Sequence, residues 1–234
     1  MGAIYRREIG AFFTSSIAYV FLCVFYLICD FFFIMDNLAG GSADLAGVFS
    51  TMFIVSIFLI PLLTMRLFSE EKKQKTEQGL LTAPVSLTGI VLGKYFAALT
   101  MYVIAVSIAF VYGLILSLFG TVAWMTVLSN YLAILLVGAA FIAVGLFISS
   151  LTENQVAAAA AGIICLLMFF LVDTLAARVS ISWLQTALYG LSFYTRYYAF
   201  TCGIFDISSV LFFISTAELF NFFTVRVFEK RRWS

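Results

Sequence analysis

The sequence predicts an all-α integral membrane protein with six spanning helices, and three observations carry that prediction. Of 234 residues, 64% are hydrophobic and only 11% are charged, against about 25% charged in an ordinary soluble domain. Mean hydropathy is +1.11, more apolar surface than a water-soluble core can hide, so the surrounding solvent is expected to be lipid. Six apolar runs then approach or exceed the roughly 20 residues a helix needs to cross a bilayer.

These spans are predicted at Ile17–Ile34, Ala46–Met65, Gly89–Phe119, Leu128–Ser150, Gln155–Leu175 and Ile207–Val225. Together they make one transmembrane domain over residues 1–234. The third run is too long to cross perpendicular to the bilayer, so it is expected to tilt or to extend beyond the lipid. Ahead of the first span, Tyr5, Ile9, Phe12, Phe13 and Ser16 recur at helical spacing with Arg6, Arg7 and Glu8 among them. Residues 1–16 therefore predict a short helix lying in the interface, because its aromatics would otherwise face water. The first span has no small-residue cleavage pattern after it and is expected to be retained rather than removed as a leader.

Lysine and arginine placement sets the orientation. Arg6, Arg7, Arg66, Lys72, Lys73, Lys75, Lys94, Arg226, Lys230, Arg231 and Arg232 fall on one side of a six-span topology, and only Arg178 and Arg196 on the other. Both termini are therefore expected to be cytoplasmic. Between the fifth and sixth spans, residues 176–206 carry Trp183, Tyr189, Phe193, Tyr194, Tyr197, Tyr198 and Phe200. Such rings suit the membrane interface, and unpaired backbone cannot sit in lipid, so outer re-entrant or surface-lying helices are predicted there.

Composition excludes several kinds of chemistry. The chain has no histidine, so imidazole bases, most zinc and haem sites and Ser-His or Cys-His nucleophiles fall away. A net charge of +1 argues against nucleic acid as a partner. Cys23, Cys29, Cys165 and Cys202 show no CxxC spacing and read as small hydrophobes, so no metal is expected. The run Gly89-Ile-Val-Leu-Gly93-Lys94-Tyr95 glances at a phosphate-binding loop, but it has three residues between its glycines where four are needed and Tyr95 where a hydroxyl should hold magnesium. It reads instead as helix packing with a snorkelling lysine.

The most informative break lies between the second and third spans, residues 66–88. Glu70 through Gln78 are mostly good solvated helix formers, Leu80 and Leu81 add an apolar tip, Pro84 ends the helical pattern, and Ser86 or Thr88 can cap the next helix. Composition alone leaves this as a solvated, positively biased loop or as a docking element.

Its residues resemble a family. Arg66-x-Phe68-x-Glu70-Glu71-Lys72, Lys75-Thr76-Glu77-Gln78, Leu80-Leu81-Thr82-Ala83-Pro84-Val85-Ser86 and Gly93-Lys94 resemble the permease subunits of ABC-2 type ABC transporters. The likeness is closest to the branch holding the gliding-motility-associated permease and the permease that assists nitrous oxide reductase maturation. Tyr5-Arg6-Arg7-Glu8 is similar to that family's N-terminal elbow helix, Ser149 through Gln155 to its loop between the fourth and fifth spans, and Leu191-Ser192 through Asp206 to its outer re-entrant region. One departure is that Gly79 stands where many members carry the first leucine of a Leu-Leu-Leu run.

The resemblance implies a non-catalytic permease that couples ATP hydrolysis by a separate ATPase to export across a bacterial inner (cytoplasmic) membrane. Two ATPases and a second permease copy, or a homologous permease, would complete the assembly. The chain itself would need no cofactor, with ATP and magnesium bound by the partner. The 66–88 segment would be the coupling helix, with Glu70, Glu71, Lys72, Gln74, Thr76, Glu77, Leu80 and Leu81 contacting the ATPase. An alternative from another class is a membrane scaffold whose ATPase does mechanical or assembly work without moving a solute. An integral-membrane enzyme and a channel find no support, as neither a nucleophile constellation nor a filter-like loop is present.

Three acids fall in or near the spans: Glu218 near the middle of the sixth, Asp30 in the first and Asp173 near the end of the fifth. A midplane acid costs about 2.5–3.5 kcal/mol on insertion scales unless partnered or protonated. Each is either part of a translocation path or satisfied by a neighbour: Thr216 or Asn221 for Glu218, with Arg178 five residues beyond Asp173. Small residues on the fourth and fifth spans (Gly138, Ala139, Gly145, Ala157–Ala161, Gly162) allow close helix approach, within the chain or at a seam between copies.

Overall fold

A computed structural model describes residues 2–75, 86–178, 181–201, 203 and 206–232 of the chain. Thr76, Glu77, Leu80, Leu81 and Cys202 lie outside the described residues. The ordered elements are helical: α1 (Gly2–Thr14), α2 (Ser16–Phe32) continued by a π-helical stretch (Phe33–Ala39), α3 (Ala46–Thr64), α4 (Arg66–Lys73), α5 (Leu87–Val106), α6 (Ile108–Ser117), α7 (Trp124–Leu151), α8 (Gln155–Ala176), α9 (Ser182–Leu191), α10 (Phe193–Thr201) and α11 (Ile207–Arg232). Among the described residues, six helical stretches are long and apolar enough to span a membrane: 16–39, 46–73, 87–117, 124–151, 155–176 and 207–232.

Polar side chains start several of these helices by accepting the first-turn N–H groups that have no helical partner. Ser15 accepts from Ile17 N at 3.2 Å to start α2, and Asn154 accepts from Val156 N at 2.9 Å to start α8. Ser86 accepts from Gly89 N at 3.2 Å, which settles the choice between Ser86 and Thr88 as cap of α5. Asp206 accepts from Ser208 N and Ser209 N to start α11.

The fourth span, α7, is the axis of the bundle: α3, α4, α5, α8, α10 and α11 all pack on it. Its glycines explain how. A Cβ on Gly138 would stand 1.9 Å from Tyr102 Cε1, and one on Gly145 would stand 2.2 Å from Thr64 Oγ1. On α8, a Cβ on Gly162 would meet Pro61 at 2.9 Å. All three glycines thus serve close approach inside the chain, answering a question composition left open. Tyr102, fully buried beneath Gly138, shares a 2.9 Å hydrogen bond with Ser56.

Two spans depart from the expected shape. The third is interrupted at Ser107, whose hydroxyl donates back to Val103 O at 2.6 Å and separates α5 from α6; such back-bonding competes with the helical ladder. The second contains Pro61, which has no N–H to return to the carbonyl four residues earlier, yet the helical path runs through Met65 into α4. Of the polar helix expected over Glu70–Gln78, the described residues hold α4, which starts earlier, at Arg66, and runs to Lys73, while Thr76–Gln78 lie outside the described residues. Its stop has a physical cause: Lys75 takes a left-handed φ of 58°, which no right-handed helix can continue through.

Between the fifth and sixth spans, α9 and α10 fold back onto the bundle as anticipated. Phe193, Tyr197 and Phe200 of α10 are buried. Tyr197 stacks on Phe53 with ring centroids 4.9 Å apart, and Phe193 lies 4.9 Å from Phe169.

Candidate functional site

Two features stand out: a charged junction at the basic end of the bundle, and a groove in its flank. The junction is built around α4. Its first-turn amides would be unpartnered, and the Ser149 hydroxyl at the end of α7 accepts from both Phe68 N and Ser69 N at 3.2 Å while donating to Met65 O at 2.9 Å. One side chain of the fourth span thereby caps the helix that follows the second.

On its other flank, α4 offers Glu71 to two cations. Lys94 Nζ, on the first turns of α5, lies 2.9 Å from Glu71 Oε1 and 3.1 Å from Glu8 Oε1 of α1. Arg7 reaches the same two carboxylates, at 2.8 Å for Glu71 and 2.6 Å for Glu8. Lys94 is only 1% exposed and rests 5.3 Å from the Phe68 ring centroid. The expectation of a snorkelling lysine is therefore corrected: its ammonium turns inward, because two carboxylates compensate it better than a stretched path to water. Burial opposes the charge on Glu8, but Lys94 and Arg7 outweigh it and hold this carboxyl below its ordinary range. Packing follows the charges: α1 lies along α5, with the Tyr5 hydroxyl 3.0 Å from Thr100 and Phe12 buried.

The remaining α4 residues divide between the bundle and the surface. Arg66 bonds Ser15 and pairs with Glu70 at 3.4 Å, and Lys72 approaches Glu153 in the turn before α8 at 3.7 Å. Gln74 is exposed and donates to Glu70 at 3.3 Å. Of the four described residues singled out on this segment, Glu71 faces the interior junction, Lys72 leans on Glu153, and Glu70 and Gln74 lie at the rim of a cavity of about 240 Å³ between α1 and α4. The inward turn of Glu71 and Lys94 was not apparent from sequence; the available signal was a lysine inside an apolar run with no adjacent countercharge.

The three intramembrane acids have separate fates. Asp30 accepts from the Tyr112 hydroxyl of α6, whose ring stacks on Phe33 at 4.3 Å. Asp173 accepts from Ser192 Oγ at 2.6 Å and Thr195 Oγ1 at 2.9 Å, fastening the start of α10 to the end of α8; these hydroxyls, and not Arg178, satisfy it. Glu218 differs. It has no hydrogen-bond or ion-pair partner among the described residues and is exposed, while Thr216 donates to Phe212 O instead.

Glu218 lines a groove of about 580 Å³ between α5, α7 and α11. Tyr95 and Leu99 form one wall, Leu136 and Ala139 the floor, and Phe213 and Phe222 flank the acid. Asn221, one turn from Glu218 and only 8% exposed, lines the same groove, and its buried Oδ1 has no hydrogen-bond partner among the described residues. At the basic end the groove closes on Arg226, which pairs with Glu229 at 2.6 Å. The three acids thus do not converge on one path.

A bundle of six helices long and apolar enough to span a membrane, with a charged junction at one end and two short helices packed at the other, defines a multi-pass membrane protein. Residues 3–228 match the profile of the ABC-2 family transporter proteins, and the chain belongs to that family. No individual curated protein matches it.

Proposed function

We propose that this chain is the membrane-spanning permease subunit of an ATP-driven exporter, worked from its basic end by a separate ATPase. The observation that carries this reading is the fastening of α4. It is joined to α1 and α5 through Glu71, to α7 through Ser149, and to the α7–α8 turn through Lys72. A protein that pushed on the chain after α4 would move four elements together, which is what coupling hydrolysis to a change of access requires. The exposed residues Lys73 and Gln74, with half-buried Glu70 and the segment that continues to Ser86, offer the contact surface.

In this reading both termini and α4 lie on the cytoplasmic side of a bacterial inner membrane, as the basic bias favours. Two permease chains and two ATPases assemble, and the ATPases bind ATP and magnesium. Chemistry stays with the partner, and α1 acts as an elbow that braces the third span.

The test is co-purification with an ABC ATPase subunit co-expressed from the same genome. The double substitution Glu70→Lys with Leu81→Asp should abolish capture while membrane insertion stays normal. Capture that persists would refute the coupling role. ATP-dependent solute flux in proteoliposomes then distinguishes an exporter from a force-bearing scaffold.

A further inference from the structure

We infer that the groove between α5, α7 and α11 binds a hydrophobic amine, an apolar body of drug-like size carrying one protonated N–H group, with Glu218 as its counter-ion. This rests on the reading above and deepens it by naming a substrate class. Glu218 is the twelfth residue of a 26-residue helix, about 16 Å from the Ile207 end at 1.5 Å per residue. That depth is the middle of a bilayer core about 30 Å thick. Its carboxylate lines the groove without a partner among the described residues, while the other two intramembrane acids are both hydrogen-bonded.

Glu218 is an acceptor that the described residues leave without a donor, and what it favours electrostatically is a positive charge. Much of the rest of the wall is apolar and aromatic, with Tyr95 and Phe96 able to lie against a cation, while Phe222 already carries Arg226 at 4.8 Å from its ring centroid. A volume of about 580 Å³ is within the range of sites that enclose drug-sized ligands. A quaternary ammonium would satisfy the charge but has no N–H to donate to Glu218, and a fatty acid would meet like charge. Arg226 does not serve as the missing cation, because Glu229 holds it at 2.6 Å at the mouth.

The experiment uses the purified full-length chain in zwitterionic nanodiscs, with pyrenemethylamine as probe and pyrenemethanol as its neutral counterpart, each measured against empty nanodiscs. Saturable binding of the amine is expected, with the alcohol at least about tenfold weaker, the loss of one charge-assisted hydrogen bond. Glu218→Gln, nearly isosteric, should weaken the amine by at least about tenfold and leave the alcohol unchanged. Ala139→Leu, which fills the floor and leaves the acid in place, should weaken both probes. Equal binding of amine and alcohol, or amine binding that survives Glu218→Gln, would overturn the proposal. So would a Glu218→Gln chain that changes oligomeric state with amine binding intact, since the groove would then be a seam between copies. None of these readouts needs the ATPase, so failure of ATPase capture would refute the proposed function and leave the amine result standing.

Discussion

Lys94 Nζ and Glu71 Oε1 lie 2.9 Å apart, joining the start of the third span to the short helix after the second. The pair is shared with Arg7 and Glu8, so among the described residues two cations and two carboxylates sit where three helices meet. Buried pairs of this kind add little net stability over apolar packing, but removing one member leaves an uncompensated charge.

Lys94→Met should therefore destabilise the chain by about 3–5 kcal/mol, read as a drop in unfolding midpoint in detergent. Adding Glu8→Gln and Glu71→Gln should recover most of the loss. A Lys94→Met chain as stable as the parent would show the cluster to be solvated.

The junction should respond to acid and not to base. Glu8 titrates below its ordinary value of 4.5, so its stabilising contribution is fully present above that value and is lost as pH falls through its folded-state pKa. The stability difference between the parent and Glu8→Gln should be constant from about pH 8 to pH 5 and shrink below about pH 4.5. Unfolding midpoints at four pH values would measure it, and a difference that shrinks toward alkaline pH would contradict the assignment.

Ser149→Ala removes an acceptor from Phe68 N and Ser69 N and a donor from Met65 O. Amide exchange at Phe68 and Ser69 should quicken, and stability should fall by about 1–3 kcal/mol. Ser149→Thr keeps the hydroxyl and should recover part of the exchange protection; unchanged exchange in Ser149→Ala would show another acceptor at work.

Gly138→Ala places a Cβ 1.9 Å from the Tyr102 ring, and Gly145→Ala places one 2.2 Å from Thr64 Oγ1. Each should cost about 1–3 kcal/mol through overpacking. Gly10→Ala, where nothing lies within 4 Å, is the matched control and should not destabilise. Thermal unfolding of the three variants side by side decides the matter.

Much of this architecture was legible in the sequence because lipid imposes simple rules. Span positions follow from apolar length, and starts such as Ser86 and Asn154 follow from the need to satisfy first-turn amides. The junction was less legible. Glu8 and Lys94 are 86 positions apart, and Glu71 lies 23 from Lys94, so nothing local ties them together. The break after α4 was not legible because lysine and glutamate favour helix locally, whereas Lys75 adopts a left-handed turn that propensity does not foresee. Glu218 was visible as a lone acid, but only the fold reveals that Thr216 turns away from it and that Asn221 stands beside it in the groove.

Pro61 breaks the hydrogen-bond ladder of the second span one turn above Met65, and Gly162 of the fifth span nests against it. A rod with such a joint passes on torque differently from a stiff one. Displacement applied at its charged foot would pass to the fourth span near Thr64, where Gly145 lies against it, and to the fifth span at the proline itself. The joint thus sits where two neighbouring rods can lean on it from different heights.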